Sequence, residues 1–565
     1  MRGERFVAQV KRYLVSLDEC RSQGLAVRSY DAVIVGSGIA GLWTALQILS
    51  AGDAKIAIVS KASAHECNTY YAQGGIAAVL YPTDSPEMHF NDTVEAGAGL
   101  CNTEAVWVLV TETPLRIHEL RSLGVRFEEE DGKLKLTREG AHRVSRIVYA
   151  RGDRTGYEIE QVLLRKAREK GVDLLEWTFA IDLLTMDGEC FGVLAWSEHD
   201  RCYMALLGSV TFICTGGAGQ LYESTTNAKV ATGDGLAMAY RAGATLADLE
   251  FIQFHPTALY EIRSPRLLIS ETVRGEGGIL LNINRERFMP RYHPMGELAP
   301  RDVVCRAILN EMKRTNSEYV FIDVTSLDGD LIRKRFPYIY EQCLERGYNI
   351  AKQPIPVAPA AHYIMGGVSV DLYGRTSIRR LYAVGEVACT GLHGANRLAS
   401  NSLNEALVFG KRAATDALQL MKNATVNVDV RAFLEERSEA KEANIDFVQI
   451  HSNLQKLMSE SVGISREKQG LEAARSQIEQ WLNSFKHVAP TAKAWEVANM
   501  LLVCRLIVES ALMRTESRGA HFREDYPDRD DERWLARIVH ASNRIGDHIL
   551  VPGKVSISRV AKESS

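Results

Sequence analysis

Two histidines and two arginines in this sequence have the chemistry needed to hold a small dicarboxylate. Arginine binds a carboxylate through two parallel N–H donors, and histidine adds a further donor. The residues with this chemistry, each in a run of small or polar residues, are His255, Arg301, His362 and Arg397, joined by Glu139 and Glu271. For each of them spacing alone leaves a structural role open, such as a buried histidine or a surface ion pair.

A glycine-rich turn near the start of the chain is typical of dinucleotide binding. In Gly36-Ser-Gly38-Ile-Ala-Gly41, the first glycine permits a tight turn and the second lets a pyrophosphate approach the backbone. The third allows a helix to pack closely on a strand, and the phosphate charge would meet the N-terminus of that helix. A glycine turn in an ordinary α/β fold is the alternative.

Two further glycine sites follow apolar segments much later in the chain. Gly216 ends one predicted strand, and Gly385-Glu386 ends another, where Glu386 could accept a hydrogen bond from a ribose or ribityl hydroxyl. A nicotinamide-binding protein usually carries an acid at the end of its second strand, but this chain has Ser60-Lys61 there. The pattern therefore favours a flavin, held by a discontinuous domain at the carboxyl edge of one sheet.

The elements that position these residues begin with a predicted βαβ unit. Asp31–Gly36 and Lys55–Ser60 are predicted strands, apolar in their interiors, and the helical pattern Ile39–Ser50 lies between them. A membrane span is the competing interpretation, because residues 32–52 carry no charged side chain. Later patterns predict helices at 103–124, 156–170 and 403–420, strands at 172–184, 190–198, 209–217 and 381–385, an inserted domain around 250–350, and helices from 430 to 545.

Composition excludes several classes of protein. The 565 residues carry a net charge of −4, which argues against a nucleic-acid-binding protein with a basic surface. A mean hydropathy of −0.13 excludes a polytopic membrane protein, and the ten cysteines contain no C-x-x-C pair for a metal.

Charged residues interrupt the apolar pattern of residues 1–28, so we expect no signal peptide there but an amphipathic helix docked on the body. Scattered thiols favour the cytoplasm.

The ordered motifs of this chain resemble those of the flavoprotein family of succinate dehydrogenase, fumarate reductase and L-aspartate oxidase. The motifs are GSGIAGL, YAQGGIAA, TTN with TGDG, FHPTAL, RGEGG, LAPRD, GLHGANRLASNSL and RTESRGAHFREDYP. The resemblance implies an α/β fold, with a Rossmann-like FAD-binding domain, an inserted α+β capping domain and a C-terminal helical domain. The implied ranges are an extension at 1–28, the FAD-binding domain at 29–249 and 363–428, the cap at 250–362, the helical domain at 429–545 and a tail at 546–565.

The resemblance also implies which residues bind FAD. They are Gly36, Ser37, Gly38, Ala40, Gly41, Lys61, Asn68, Thr69, Ala72, Gln73, Gly74, Gly75, Gly216, Asp234, Glu386, Asn401, Ser402 and Leu403. Respiratory members of the family carry a histidine that bonds covalently to the flavin, where this sequence has Asn68. We therefore expect noncovalent FAD. The segment Arg514–His521 is expected to contact the cofactor domain.

Substrate roles follow from the same resemblance. His255, His362 and Arg397 would bind two carboxylates, assisted by Thr257, Ser270 and Glu271; Thr257 has a structural alternative as a strand-capping hydroxyl. Arg301 matches the family's proton-transfer arginine. An arginine normally stays protonated, so this role would need its neighbours Glu271 or Arg274, and a simple carboxylate clamp is the alternative.

Glu139 matches the glutamate of the L-aspartate oxidases in this family. Its carboxylate would pair with an ammonium group, whereas opposite succinate it would be a costly unpaired charge. The implied activity is oxidation of L-aspartate to iminoaspartate, with the reduced flavin reoxidised by O2 or fumarate and the product passing to quinolinate synthase for NAD synthesis. A soluble fumarate reductase or succinate dehydrogenase flavoprotein, and a non-catalytic FAD-binding subunit, are the alternatives.

Overall fold

The computed structural model describes residues 15, 17–422, 428–433, 446–484, 491–544 and 550–559. Its α-helices are Leu17–Gln23, Ile39–Leu49, Asn68–Tyr71, Pro86–Ala96, Thr103–Leu123, Thr155–Glu169, Asp234–Ala242, Glu271–Gly275, Arg301–Thr315, Gly329–Arg335, Pro337–Glu345, Ser402–Met421, Phe447–Ser461, Lys468–Ser484, Ala492–Met513 and Asp531–Trp534. Most of the expected helix within 1–28 lies outside the described residues. The expected extension reaches residue 28, but the strand Leu25–Val35 already begins at Leu25.

The main sheet is built on the predicted βαβ unit. The strand Leu25–Val35 pairs in parallel with Ile56–Val59 on one side and with Cys202–Ile213 on the other. The other strands of this sheet are Asp173–Leu175, Thr178–Met186, Glu189–Ser197 and Leu381–Ala383. Helix Ile39–Leu49 joins the first two parallel strands and is buried along almost its whole length. Burial between sheet and neighbouring helices explains why residues 32–52 carry no charge, and the membrane-span interpretation is wrong for them.

The parallel strands of this sheet end along one edge. Val35, Val59, Ile213 and Ala383 are the last residues of four of them. In an open α/β sheet, ligands bind in the crevice beyond such carboxyl ends. Within the described residues, no helix is both long enough and apolar enough for a membrane crossing.

A second, antiparallel sheet faces that edge. Its strands, in spatial order, are Ile252–Leu259, Ile355–Ile364, Val320–Asp323 and Ile279–Leu281. Helices Arg301–Thr315, Gly329–Arg335 and Pro337–Glu345 complete this unit, which has its own apolar core. The unit occupies almost the range expected for the cap.

The C-terminal region combines helices with strands. Trp495 lies on the helix Ala492–Met513, and its ring centroid is 5.8 Å from that of Phe179 in the main sheet. The helices therefore share a core with that sheet. The helical prediction is wrong at its end, because Ala536–Arg544 is a strand that pairs with Leu246–Ala247 and with Leu550–Arg559. This sheet also contains Gly367–Ser369 and Ala388–Cys389, and the short strands elsewhere are Ile76–Ala77, Glu129–Glu130, Lys133–Leu134, Leu136–Thr137 and Ile147–Val148.

Candidate functional site

A cavity of about 570 Å³ lies where the parallel strand ends face the antiparallel sheet. Its volume is within the range of small-molecule and cofactor sites. The predicted site residues that line it are Gly36, Ser37, Gly38, Ala40, Lys61, Asn68, Thr69, Ala72, Gln73, Gly74, Gly75, Glu139, Gly216, Asp234, His255, Ser270, Glu271, Arg301, His362, Glu386, Arg397, Ser402 and Leu403. Residues more than 350 positions apart in the chain therefore converge on one space.

Three predicted site residues do not line this cavity. A Cβ on Gly41 would lie 2.0 Å from the Gly36 carbonyl oxygen, so this glycine serves helix–strand packing. Thr257 donates its hydroxyl hydrogen to the Ile269 carbonyl at 2.8 Å. The Asn401 side-chain amide bonds to Thr93 and His89, at 3.1 and 3.0 Å.

The glycine turn has the backbone geometry that an anion needs. Gly36 has a φ of +115°, and a Cβ there would lie 2.2 Å from the Cys214 carbonyl oxygen. Helix Ile39–Leu49 starts immediately after the turn and has no acidic residue in its first turn. The positive end of the helix dipole is therefore open to a diphosphate.

Buried polar atoms in the cavity wall are left for a ligand. In the described part of the chain, Gln73, which lines the cavity, has its side-chain Oε1 buried without a hydrogen-bond partner. Glu386 accepts hydrogen bonds from the Ile364 N–H at 3.1 Å and from Asn68 Nδ2 at 3.4 Å, and burial raises its pKa to about 7. Unpaired buried polar atoms are uncommon in folded proteins, so this wall fits a ligand rich in hydroxyl and carbonyl groups, as FAD is.

Lys61 has partners that sequence patterns did not indicate. Its ammonium lies 2.7 Å from Asp234 Oδ2 and 2.7 Å from Glu496 Oε2. Asn499 Nδ2 donates to the other oxygen of Asp234 at 2.7 Å. The helix Ala492–Met513 thus reaches the cofactor wall, which links the C-terminal region to the predicted FAD site.

Arginines dominate the charge at the other end of the cavity. Arg301 donates through Nε to Glu271 Oε2 at 2.5 Å and through Nη1 to Gln253 Oε1 at 2.9 Å. Burial raises the pKa of Glu271, but Arg301 and Arg274 outweigh it and hold this pKa below its ordinary value. Arg397 also donates to Gln253, at 3.1 Å, and burial followed by Arg301 lowers its pKa to about 10. Both arginines therefore face the cavity, and Arg397 remains charged at neutral pH.

The two predicted histidines lie side by side in this end of the cavity. The ring centroids of His255 and His362 are 5.2 Å apart. Burial, followed by the charge of Arg301, lowers the pKa of each ring well below its ordinary value, so both are neutral at pH 7. His255 Nδ1 accepts the Thr257 N–H at 3.2 Å, which leaves Nε2 protonated as a donor. The histidines contribute hydrogen bonds and the arginines contribute charge.

Glu139 brings a carboxylate into this positive environment. Ser400 donates to its Oε2 at 2.6 Å and Thr272 to its Oε1 at 3.3 Å. Burial, and then the nearby Glu271, raise the pKa of Glu139. A buried carboxylate with a raised pKa is a group that gains from pairing with a ligand cation.

Four residues of this end were missed by the sequence analysis: Gln253, Thr272, Tyr363 and Ser400. A signal existed for Gln253, since it lies two residues before His255 on one strand and alternate residues face the same side. Thr272 and Ser400 gave no such signal, because Thr272 lies in the short helix Glu271–Gly275 and Ser400 lies in a turn.

The segment Arg514–His521 contacts the loop that carries Arg397. Arg514 donates to Glu250 at 2.7 Å within the protein interior, and the Ala520 N–H donates to the Ala395 carbonyl at 2.9 Å. A Cβ on Gly519 would lie 2.5 Å from that same carbonyl oxygen. The close approach accounts for this glycine.

Similar proteins share both the fold and the cofactor domain. The FAD binding domain family matches residues 31–403, and the family described as fumarate reductase flavoprotein C-term matches residues 451–561. A Nicotiana tabacum protein named L-aspartate oxidase 2-a, chloroplastic, is 43% identical, over 94% of this chain and 87% of its own length. The L-aspartate oxidase of Streptomyces coelicolor is 41% identical, over 90% of this chain and 91% of its own. A solved mutant of the E. coli quinol fumarate reductase chain FrdA superimposes with a TM-score of 0.87 at 31% identity, covering 96% of this chain and 98% of that one.

Proposed function

The chain belongs to the L-aspartate oxidase family of FAD-binding flavoproteins, and on that premise we propose that it oxidises L-aspartate to iminoaspartate. The observation that carries the proposal is the carboxylate of Glu139 in a cavity whose other charged groups include two arginines. L-aspartate has two carboxylates and one ammonium group, so its charges complement this arrangement.

Each charged group of the substrate has a proposed partner. Arg397, with His255 and His362, binds the carboxylates, and Ser270 and Glu271 assist at the same end. Glu139 accepts the ammonium group of C2. For succinate, the same carboxylate would be desolvated without a partner, and such a charge costs several kcal/mol. The charge pattern thus favours aspartate over succinate.

FAD is the cofactor of this activity, and we propose that it is bound noncovalently. The glycine turn, the helix N-terminus that follows it and the hydroxyl-binding Glu386 would hold it. Bound FAD supplies two-electron redox chemistry, with O2 reduced to hydrogen peroxide or fumarate to succinate in the second half of the cycle. Asn68 offers an amide at the position where respiratory relatives carry the linking histidine.

Arg301 is proposed to hold the proton that fumarate reduction requires. Its Nε lies 2.5 Å from Glu271 Oε2, and a second arginine, Arg274, lies 3.5 Å from the other oxygen of Glu271. A proton lost from Arg301 can be returned through this carboxylate. The pair therefore supports an acid role for Arg301, beyond a static carboxylate clamp.

A soluble fumarate reductase or succinate dehydrogenase flavoprotein is the runner-up, and Asn68 and Glu139 both argue against it. The predicted link to quinolinate synthase and the predicted cytoplasmic location stay predictions; some plant relatives are named chloroplastic.

Aerobic turnover of the purified holoenzyme tests the proposal. L-aspartate should give hydrogen peroxide, and L-asparagine, which lacks the second carboxylate, should not. Peroxide formation that is equal with both amino acids, or a failure to oxidise L-aspartate with either O2 or fumarate as acceptor, would overturn the assignment.

A further inference from the structure

Arg397 has a buried guanidinium with few hydrogen bonds to orient it. The residue is 4% exposed, and its Nη2 makes a hydrogen bond of 3.1 Å to Gln253 Oε1. In the described part of the chain, its Nε is buried without a partner. Donors are thus available for a carboxylate, but hydrogen bonds alone fix the plane of the guanidinium weakly.

The ring of Tyr363 supplies the missing contact. The Arg397 Cζ lies over this ring, 4.2 Å from its centroid. Tyr363 is 7% exposed and lines the same cavity. A cation over an aromatic face is attracted by the ring quadrupole, and the attraction is strongest where both groups are desolvated, as they are here.

Glu405 fixes the ring and the arginine loop together. Its Oε2 accepts the Tyr363 hydroxyl at 2.9 Å and lies 2.9 Å from His393 Nε2. Its Oε1 accepts the Thr390 hydroxyl at 2.6 Å. Thr390 and His393 belong to the same segment as Arg397, so one buried carboxylate holds both the ring and the loop above it.

Gln253, on the strand next to that of Tyr363, provides the other contacts of Arg397. Tyr363 is paired with Gln253 across the antiparallel strands of the capping sheet. Gln253 Nε2 also donates to the Arg397 carbonyl at 2.9 Å. The Arg397 guanidinium thus contacts Tyr363 and Gln253, which lie on adjacent strands. The capping sheet therefore fixes its orientation.

We propose that Tyr363 is the positioning residue for Arg397, with its ring face holding the guanidinium in the orientation that receives a substrate carboxylate. The proposal rests on the proposed function, in which Arg397 binds a carboxylate. It differs from a packing role, because it depends on the electron density of the ring and not on its volume.

The test replaces Tyr363 by phenylalanine and by phenylalanines with increasing ring fluorination, which weaken the quadrupole while nearly keeping the shape. Fumarate is titrated into each oxidised holoenzyme, and its Kd is read from the absorbance of bound FAD. We expect the phenylalanine variant, which loses the hydroxyl that Glu405 holds, to bind fumarate more weakly than wild type. Relative to phenylalanine, the Kd should rise further with each added fluorine, by about tenfold in total. The KM for L-aspartate should follow the Kd, with kcat within about threefold.

A matched control is Tyr382→Phe, since Tyr382 also donates to a carboxylate, Asp416 at 2.8 Å, but does not line the cavity. This variant should leave the Kd for fumarate unchanged. A Kd that does not change along the fluorine series would overturn the proposal. If wild type fails to oxidise L-aspartate but the fluorine series still weakens fumarate binding, the proposed function fails while the role of Tyr363 stands.

Discussion

Glu139 accepts a hydrogen bond of 2.6 Å from the Ser400 hydroxyl, although 261 positions separate the two residues in the chain. Ser400 has a φ of +60°, a conformation that few non-glycine residues adopt. Neighbouring contacts hold it there, because the Ala77 N–H donates to its carbonyl at 3.1 Å and His142 bonds to the Ala399 carbonyl at 3.0 Å. Strained backbone at such a place is a feature of functional sites. The proposed specificity for an amino acid rests on this contact.

Replacing Glu139 by glutamine should separate the two activities. The variant loses the charge partner of the substrate ammonium, so kcat/KM for L-aspartate should fall by about 100-fold or more. Fumarate has no ammonium group to pair with the Glu139 carboxylate, so removing this charge should leave fumarate reduction at or above the wild-type rate. Steady-state kinetics with both substrates measure this. Glu130→Gln, a change on a nearby exposed strand, should alter neither activity. Equal losses with both substrates would contradict the role of Glu139.

Glu139 should also make the pH profile for L-aspartate oxidation differ from that for fumarate reduction. Burial and Glu271 raise the pKa of Glu139, so on acidification it is protonated at a higher pH than the ordinary value of about 4.3. A protonated Glu139 cannot pair with an ammonium group, so kcat/KM for L-aspartate should be full above the raised pKa and fall as the pH drops through it. Fumarate reduction by the same preparation should lack this acidic limb. Identical profiles would count against the assignment.

Arg301→Leu should abolish fumarate reduction. The variant removes the proposed proton donor and leaves the carboxylate of Glu271 with Arg274 alone. Binding of fumarate, measured as a Kd, should weaken less than turnover, because Arg397 remains. Arg301→Lys, which keeps a charge without the planar donor geometry, serves as the control and should retain measurable turnover. Fumarate reduction by Arg301→Leu at the wild-type rate would remove the acid role.

Denaturation should release the flavin. Asn68 uses its side-chain oxygen to accept the Ala228 N–H at 2.8 Å, and an amide cannot form the linkage that a histidine forms in respiratory relatives. Acid precipitation of the holoenzyme should therefore leave all FAD in the supernatant, measured by its absorbance. Flavin that stays with the precipitated chain would show a covalent link elsewhere.

The sequence predicts the framework of this fold well. The apolar strands before Gly36 and Gly216 and after Asp53 give the parallel sheet, because buried parallel strands read as continuous apolar runs. The C-terminal strand Ala536–Arg544 escapes prediction, since its pairing with the distant Leu246–Ala247 is a tertiary contact that local periodicity does not report.

The candidate site is predicted in its charged residues but not in what holds them. His255, Arg301 and Arg397 carry recognisable chemistry, whereas Ser400 and Tyr363 act through contacts that depend on tertiary structure. Propensity and periodicity describe local geometry. They therefore do not predict the hydrogen bond between Ser400 and Glu139, which lie far apart in the sequence.

Anaerobic mixing of the oxidised holoenzyme with one substrate tests the central claim most directly. Without O2 or fumarate, the absorbance of oxidised FAD reports whether the substrate has given up electrons. We predict that L-aspartate abolishes this absorbance and that succinate at the same concentration leaves it unchanged. Loss of the absorbance with succinate and its retention with L-aspartate would contradict the account.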